Sequence, residues 1–308
     1  VSEVYAEVLV PVLSDVPLAR YLGLEFGGRL SSYDNAGELE TWKLGLDWEP
    51  VEGVRFRTMA QRSARAPNLE EAFLLPYEEE GRAVFLDPRE DPCSASADPV
   101  GNGLSDVCIA QGIPASELGV FEAALGVPVT FTFGGNPNLE PEIAETFTAG
   151  IVFSRFDAWT LSIDYFDIEV EDTIGGSDPM LVCWDPNNTE RKTCDRISRN
   201  PVTFDIDAIE QTSANLGQLR TTGFDTQLNY LTELPGWLVP GSGSADLDVS
   251  VVWTHVTENS IQGDPASTVF ECVGKFGFAC DFFGNDNVFP ENRMRASAAW
   301  VAENWRAS

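Results

Sequence analysis

Nine segments of this chain alternate between apolar and polar residues, and this period of two limits the fold more than any other feature. Alternation places every second side chain on one face of a β-strand, whereas a helix repeats its apolar residues about every 3.6 positions. The segments are 4–10, 22–26, 42–48, 54–60, 147–153, 159–165, 224–230, 245–253 and 294–300. The sequence therefore predicts an all-β fold with about nine antiparallel strands.

The connections between these segments alternate between short and long. At one end of the strands, the connections are 13–18, 50–53, 154–158 and a somewhat longer one near 232–244. At the other end, they are a short one at 33–37 and three long ones at 64–143, 171–205 and 258–290. A soluble β-sandwich also has a period of two, but structureless loops of this size are uncommon in compact domains. Outer-membrane barrels have short turns at one end and long loops at the other, so the connections favour a transmembrane barrel. This interpretation requires one long strand over residues 206–232.

The alternation also assigns faces to individual side chains. Because Leu228 and Gln227 are adjacent in a strand, we expect Leu228 to point outward and Gln227 inward. Near Tyr165 and Phe166 the alternation changes phase, which predicts a bulge or a strand that leaves the bilayer. Aromatic residues often stand at the ends of the apolar faces. In a membrane protein such rings lie at the level of the lipid headgroups, and in a soluble protein they pack at the rim of the core. The aromatic residues at these positions are Trp48, Trp159, Tyr165, Tyr230, Trp253 and Trp300.

The six cysteines fall into three local pairs within the long connections. They are Cys93 with Cys108, Cys183 with Cys194, and Cys272 with Cys280. None has the C-x-x-C spacing of zinc ribbons or thioredoxin-like sites. We therefore expect three local disulfides, formed in an oxidising compartment, rather than free buried thiols. All three would lie at the same end of the strands.

Composition excludes several classes of function. The chain has 49 acidic and 19 basic residues and a net charge of −30, so it would repel a phosphate backbone and we expect no nucleic-acid partner. No run of 18 apolar residues could form a transmembrane helix. The chain has a single histidine, His255, and this scarcity counts against most catalytic and metal sites. We expect His255 to be an ordinary polar residue near a strand end. We therefore expect no enzyme activity, no cofactor and no metal site.

The many carboxylates are expected to meet water. Two pairs, Asp164 with Asp167 and Asp246 with Asp248, would line a wet lumen. The acidic residues of the longest connection are either solvated or attract a cation; they are Glu78, Glu79, Glu80, Asp87, Glu90 and Asp91. The oxygen-rich turns at 185–188 and 285–287 lack the residue spacing of a calcium loop.

Four segments resemble the signature stretches of TonB-dependent receptors, the plugged barrels that import scarce nutrients across the bacterial outer membrane. In chain order they are RSARAPNLEEAF (62–73), GNPNLEPEIAETFTAG (135–150), LSIDYFDIEVEDTIG (161–175) and NLGQLRTTGFDTQLNY (215–230). Their order and spacing together carry the resemblance, which spans about 170 residues. The alternating segments on either side of these stretches resemble strands of the same barrel architecture.

The resemblance implies more than the alternation does. It implies that residues 1–308 are part of a 22-stranded type of barrel with long extracellular loops, from which the plug domain, the earlier strands and the final strands are absent. It implies an outer-membrane receptor for TonB-energised uptake of a bulky nutrient such as a ferric siderophore. The implied partners are outer-membrane lipid, the small-molecule ligand, and TonB through the missing plug region. The ligand-binding residues stay unknown, and the connection 64–143 is our expectation for ligand contact.

The residues that match the family motifs are Arg65, Pro67, Asn68, Asn136, Pro137, Leu139, Pro141, Glu142 and Gly223. Proline cannot donate to a strand ladder, so Pro67 should end a strand, and Pro137 and Pro141 should bracket the return from the loop. Gly223 should lie at a bend or beside a close neighbour. Arg65 and Glu142, at the two ends of one loop, either pair across its base or are separately solvated.

Two other functions are consistent with the sequence. The first is a passive porin-like channel without energy coupling, which a plug domain encoded upstream would distinguish from a receptor. The second is a secreted β-rich adhesin or glycan-binding domain, which solubility without detergent would favour.

Overall fold

A computed structural model describes residues 1–82, 90–156, 158–176, 178–185, 188, 190–191, 193–235, 239, 244–265, 267–277, 280, 288–302 and 305–307. Its strands in chain order are β1 (Ser2–Val16), β2 (Ala19–Tyr33), β3 (Gly37–Val51), β4 (Val54–Arg65), β5 (Tyr77–Arg82), β6 (Pro128–Gly134), β7 (Glu142–Phe156), β8 (Trp159–Glu171), β9 (Ile174–Gly176), β10 (Ile197–Arg199), β11 (Ile206–Asn215), β12 (Gln218–Glu233), β13 (Ala245–Ile261), β14 (Phe270–Glu271), β15 (Asn292–Ala302) and β16 (Trp305–Ala307). Three short helices are α1 (Leu69–Phe73), α2 (Ser105–Ala110) and α3 (Pro179–Val182). None of the helices in the described segments is long and apolar enough to cross a membrane.

Two sheets contain these strands. The larger sheet, which we call the wall, is antiparallel in the order β1-β2-β3-β4-β7-β8-β12-β13-β15-β16, with β14 beside β13, and it is not closed into a barrel. Each of the nine predicted segments lies in a different wall strand. The all-β prediction and the number of long wall strands are therefore confirmed.

Side chains directly opposite one another on paired strands point to the same face, so the strand register defines both faces of the wall. One row across seven strands is Val10, Leu24, Leu46, Thr58, Ala149, Tyr165 and Phe224. On this apolar face Leu228 lies opposite Leu161 and Val251. The adjacent Gln227 lies on the other, polar face, opposite Ser162. The predicted separation of Leu228 and Gln227 is confirmed.

Ion pairs that join different strands lie on the polar face. Lys43 Nζ lies 2.5 Å from Glu25 Oε1 and 3.2 Å from Glu7 Oε1. Arg57 reaches across β7 to Asp164 with distances of 2.8 and 2.7 Å. Gly150 lies between those two residues in the same row, and a Cβ atom there would overlap the Asp164 carboxylate.

The carboxylate assignment was partly wrong. Asp164, Asp246 and Asp248 lie on the polar face, but Asp167 lies in the apolar-face row of Phe147 and Thr222. There it accepts hydrogen bonds from Arg220 at 3.0 and 3.2 Å. Asp167 therefore pairs with Arg220 on the apolar face and does not face the polar side.

The predicted phase change in β8 has a different origin from a bulge. β8 keeps an unbroken register with β12 through Tyr165 and Phe166, so the bulge prediction is wrong. Instead, the two faces exchange their polarity beyond Tyr165. On the apolar face Tyr165 is followed by Asp167 and Glu169, whereas on the polar face apolar side chains begin at Phe166. The apolar face therefore ends at this level of the wall.

The prediction of one strand over 206–232 is also wrong. β11 ends at Asn215 and β12 begins at Gln218. Between them the Leu216 amide donates to the Thr173 carbonyl at 2.7 Å, which turns the chain away from β11. The alternation of short and long connections survives, because β12 alone completes the crossing of the wall.

The second sheet lies entirely within the long connections, which the sequence had predicted to be structureless. Its order is β10-β11-β6-β5, with β9 beside β11. β5 and β6 come from the first long connection, whereas β9, β10 and β11 come from the second. β6 and β11 run parallel, with Thr130 opposite Ala208. The two connections therefore fold together, and we call residues 66–141 and 172–217 the loop domain.

Candidate functional site

The loop domain has its own hydrophobic core. Its largest buried cluster contains Val107, Val129, Cys183, Ile197, Ile206 and Ile209, drawn from both connections. A second cluster surrounds Cys93 and Cys108, where Phe121 of the first connection meets Phe204 of the second edge to face at 6.1 Å. The two connections therefore share one hydrophobic core.

The three predicted disulfides, Cys93–Cys108, Cys183–Cys194 and Cys272–Cys280, are present. The first two lie in the loop domain, one in each connection. The third lies in the connection between β13 and β15, which contacts the loop domain where the Thr268 amide donates to Asp185 at 3.0 Å. All three lie at the same end of the wall, which confirms the predicted sidedness.

A buried ion pair joins the two connections. Arg199 at the end of β10 donates to both carboxylate oxygens of Asp91 at 2.7 and 2.8 Å, and the two side chains are 1% and 0% exposed. The same guanidinium also donates to the Gln111 side chain and to the Phe204 carbonyl, at 3.0 and 2.9 Å. Asp91 was predicted to be a solvated or cation-attracting carboxylate, and that was wrong because Arg199 neutralises it.

Other acidic residues of the first connection match their prediction better. Glu78, Glu79, Glu80 and Glu90 are exposed. Asp87, Pro186, Asn187, Thr189 and residues 285–287 lie outside the described residues. Within the described part of the chain, no group of three or more His, Cys, Asp or Glu side chains could hold a metal ion.

The family-motif residues meet at the base of the loop domain. Arg65 Nε lies 2.5 Å from Glu142 Oε2, so these residues pair across the loop base, and the alternative of two solvated charges is wrong. Arg65 Nη1 also binds Glu71 at 2.9 and 3.0 Å. Burial raises the pKa of Glu142, but hydrogen bonds from Arg65 and from the Ile174 amide outweigh it and hold that pKa below 4.5. This carboxylate is therefore ionised at neutral pH.

Glu71 was not among the predicted site residues. It forms a capping box with Asn68 at the start of α1: the Glu71 amide donates to the Asn68 side chain, and the Asn68 amide donates to Glu71, both at 2.8 Å. The N-x-x-E spacing at 68–71 is a sequence signal for this arrangement. The capping box turns the chain sharply after Pro67, whose carbonyl accepts a hydrogen bond from Asn35 in the β2–β3 turn.

The return from the first connection closes the same base. The Asn136 amide donates to the Glu71 carbonyl at 2.8 Å, and the Asn136 side chain accepts from the Asn138 amide at 2.9 Å in the turn that contains Pro137. Leu139 is buried, and Pro141 leads directly into β7.

A second connection is tied to the same base. Asn215 accepts a hydrogen bond from the Glu140 amide and donates to the Glu140 and Asp172 carbonyls, at 2.8, 2.8 and 3.0 Å. Glu142 Oε1 accepts from the Ile174 amide at 2.7 Å. Asn215 was quoted within a motif but not predicted as a site residue, since its partners lie 43 and 75 positions away. We call the set Arg65, Glu71, Glu142 and Asn215 the loop-base clamp.

Gly223 marks an irregularity in the wall. The register between β12 and β13 shifts between Thr222 and Gly223. A Cβ atom at Gly223 would overlap the His255 carbonyl and lie 2.8 Å from the Phe166 ring. The prediction was a bend or a close neighbour, and the close neighbour is confirmed. His255 itself lies within β13 rather than near its end, opposite Asn292.

An aromatic shelf stands on one face of the smaller sheet. Tyr77 and Phe133 stack with ring centroids 5.5 Å apart, and Phe131 follows at 6.4 Å. Tyr77 is 45% exposed, and Glu79 lies on the same face opposite Phe131. The three long connections, 66–141, 172–217 and 262–291, contain 26 acidic and 7 basic residues. The Phe131 ring packs against the buried core of the loop domain, so the exposed ring of the shelf is that of Tyr77, within strongly negative surroundings.

The polar face of the wall encloses space below the loop domain. One cavity of 760 Å³ is lined by residues from Leu9 in β1 to Thr254 in β13. Because eight wall strands line a single cavity, the wall is concave on its polar face. The ion pairs of that face, including Arg57 with Asp164, border this space.

Comparison with known proteins identifies a matching family and similar solved structures. The family model described as "TonB dependent receptor-like, beta-barrel" matches residues 3–308, whereas no curated protein matches. The chain is similar to the G324V mutant of the ferric enterobactin receptor PfeA from Pseudomonas aeruginosa, with 17% identity and a TM-score of 0.54 over 98% of this chain and 30% of that one. It is also similar to PfeA in complex with BCV-L6, with 16% identity and a TM-score of 0.53 over 97% of this chain and 30% of that one.

A more distant likeness is to the siderophore receptor PirA from Acinetobacter baumannii, with 12% identity and a TM-score of 0.48 over 98% of this chain and 39% of that one. The chain thus spans about 30% of the length of the PfeA structures that it matches. At these identities the solved structures show the fold alone. The match to nearly the whole chain shows that it belongs to the TonB-dependent receptor-like β-barrel family.

Proposed function

We propose that this chain is part of a bacterial outer-membrane receptor that takes up a bulky, scarce nutrient such as a ferric siderophore, with energy supplied through TonB. The observation that carries the proposal is the loop domain, a disulfide-bonded unit with its own core at one end of a wall that is concave on its polar face. The apolar face would contact lipid, and the polar face would line the lumen. We propose no enzymatic role.

The loop domain is better suited to capturing a ligand than to closing the mouth of the lumen. Its core and disulfides hold the aromatic shelf in a fixed orientation, which lowers the entropic cost of binding a ligand. The loop-base clamp fixes the domain to strands β4 and β7 of the wall. A ligand held there would lie at the mouth of the lumen, from which a plug domain could receive it.

Coupling to TonB is tested by uptake in cells that produce the full-length receptor. Radiolabelled ferric catecholate, ferric hydroxamate and cobalamin are supplied with and without an uncoupler of the proton-motive force. We expect uptake of one of them to stop in the uncoupled cells while binding at the cell surface persists. Undiminished uptake in those cells would overturn energised transport and favour the passive channel.

Ligand capture by the shelf is tested in the same assay. Replacing Tyr77 and Phe133 by Ala removes two stacked rings, each worth about 0.5–1.5 kcal/mol in aromatic contacts. We expect surface binding to weaken by about tenfold. Val202→Ala, at another exposed site of the loop domain, is the control. Equal binding by both variants would exclude the shelf from ligand contact.

A further inference from the structure

The smaller sheet has an open edge. Its outermost strand, β5, pairs with β6 and with no other strand in the described part of the chain. Every second residue of an edge strand directs its N–H and C=O groups away from the sheet. None of the backbone hydrogen bonds in the described turns and loops uses a residue of β5. The outward backbone groups of β5 are therefore available to a further strand.

Three devices that protect edge strands from pairing are missing from β5. They are proline, a β-bulge and a covering segment. β5 contains no proline, and its register with β6 is unbroken from Tyr77 to Arg82. Residues 73–80 are all exposed, so no described segment covers the strand. The apolar side chains of this stretch are accessible as well, and Leu75 just before β5 is 80% exposed.

Charge is the one protection that β5 carries, and it is selective. Glu78, Glu79 and Glu80 follow one another, and none of them forms an ion pair with a residue that the structure describes. The ion pairs of Arg65 and Arg199 use other carboxylates. Like charges directly opposite each other on paired strands are destabilising, whereas opposite charges stabilise the pair. The edge therefore repels the same edge of a second copy and favours a strand that carries cations.

We propose that the open edge of β5 binds a short basic peptide, which adds a further strand to the smaller sheet. In this mode of recognition the backbone hydrogen bonds supply affinity, and the side chains of the peptide supply specificity. Because β5 has six residues, the bound segment is about six residues long. The inference goes beyond the proposed function, since it needs neither TonB nor uptake of the nutrient.

The order of side chains along β5 defines the peptide further. Glu78 and Glu80 lie on one face of the sheet, opposite Thr132 and Thr130 of β6, and Glu79 lies on the other. Side chains of an added strand alternate in the same way. Three consecutive lysine or arginine residues would thus each meet a carboxylate. An aromatic or aliphatic residue beside them would lie opposite the exposed ring of Tyr77.

The first test is fluorescence anisotropy with purified full-length receptor in detergent and a labelled probe, acetyl-Phe-Lys-Lys-Lys-Phe-amide. This sequence reads the same in both directions, so it fits a parallel or an antiparallel added strand. We expect saturable binding that weakens as the salt concentration rises. The absence of saturable binding at low salt would overturn the proposal.

Paired double variants separate the edge from the general negative charge of the loop domain. Glu78→Gln with Glu80→Gln should weaken binding by about three- to tenfold, through the loss of two cross-strand charge pairs. The control, Asp106→Asn with Glu140→Gln, removes the same charge from two exposed positions outside β5 and should leave binding unchanged. Equal weakening by both double variants would mean that the peptide is held by diffuse charge, which overturns the assignment to β5.

Backbone methylation of the probe tests the added strand itself. One version of the peptide carries N-methyl groups on residues 2 and 4, and the other carries them on residues 1, 3 and 5, so both keep every charge. In an added strand one set of amides faces β5 and the other faces solvent. We expect one version to bind at least about tenfold more weakly than the unmethylated probe and the other to bind about as well. Equal affinities of the two versions would overturn the added strand.

Sedimentation of the receptor without peptide examines a second copy as the occupant. Self-association that Glu78→Gln with Glu80→Gln strengthens would agree with an edge that repels its own copy. Self-association that the same variant abolishes would assign the edge to a second copy and overturn the peptide. None of these measurements depends on uptake, so failure here is distinguishable from failure of the receptor function.

Discussion

At the scale of single residues, each wall position is defined by its face and by the space beside it. Leu228 and Gln227 are adjacent in β12 but belong to opposite faces. Gly223, a few residues earlier, has no room for a side chain, because the shifted register brings the His255 carbonyl against it. The consequences of a substitution therefore change within a few positions of one strand.

Leu228 and Gln227 give a paired test of the faces. In the full-length receptor we expect Leu228→Arg to cost about 2–4 kcal/mol if Leu228 lies near the bilayer midplane, because its charge would enter lipid. Gln227→Arg should cost much less, since it enters a polar lumen. Unfolding free energies measured by denaturant titration in lipid vesicles check this. Equal penalties would contradict the register.

Gly223 gives a test of close packing. We expect Gly223→Ala to destabilise the wall by about 1–3 kcal/mol, because the added methyl group forces the β12–β13 backbones apart. Gly28→Ala in β2 is the matched control, since a Cβ atom there meets nothing within 4 Å. The same denaturant titration compares the unfolding free energies of the two variants. Equal effects would mean that the β13 backbone moves away from residue 223 at little energetic cost.

Glu142 makes the loop-base clamp sensitive to acid. Its folded pKa lies below the ordinary value of 4.5, so its contribution is present above that value and is lost as the pH falls through the folded pKa. We expect Glu142→Gln to melt the loop domain at a lower temperature than wild type at neutral pH. The difference should shrink below about pH 4. A difference that stays constant down to about pH 2 would contradict an ionic clamp.

At the scale of elements, the wall strands could be predicted and the smaller sheet could not. The nine predicted wall strands are long, and the alternation of each is visible within its own residues, as in β3 and β13. β5, by contrast, reads Tyr-Glu-Glu-Glu-Gly-Arg and has almost no apolar face. β11 and β12 read as one strand because both alternate and only Leu216-Gly217 separates them. The residues that turn the chain there bind Thr173 and Gln262, which lie far away in sequence.

The candidate site shows the same division. The disulfides could be predicted because each joins residues within one connection, and the pairing of Arg65 with Glu142, at the two ends of one connection, was one of two open alternatives. Asp91 and Arg199 are 108 positions apart, and neither has a local signal. Nothing in the neighbouring sequence indicates that Asp91 would be buried while Glu90 beside it stays exposed.

At the scale of the whole molecule, the loop domain and the wall are distinct bodies that are joined at the clamp. We expect Arg199→Met to destabilise the loop domain by about 3–5 kcal/mol, because it leaves the Asp91 charge buried and unpaired. The wall, whose hydrogen bonds do not involve Arg199, should keep its protection. Hydrogen exchange resolved by peptide measures both bodies in one experiment.

Its control is the double variant Asp91→Leu with Arg199→Met, which replaces the ion pair by apolar side chains. Such replacements are often neutral, so we expect the double variant to recover much of the lost protection. Loss of protection in the wall strands to the same degree would show that the molecule unfolds as a single unit.

The parallel pairing of β6 with β11 has a consequence for the order in which the chain can assemble. Between the two strands lie β7 and β8, which form a hairpin of the wall. The ladder from Thr130 to Ala208 can close only when that hairpin has brought its two flanking connections to the same end. Contacts between residues so distant in sequence form late, after local ones have reduced the entropy of closure. A finished loop domain would therefore report that the strands beneath it had already paired in the correct order.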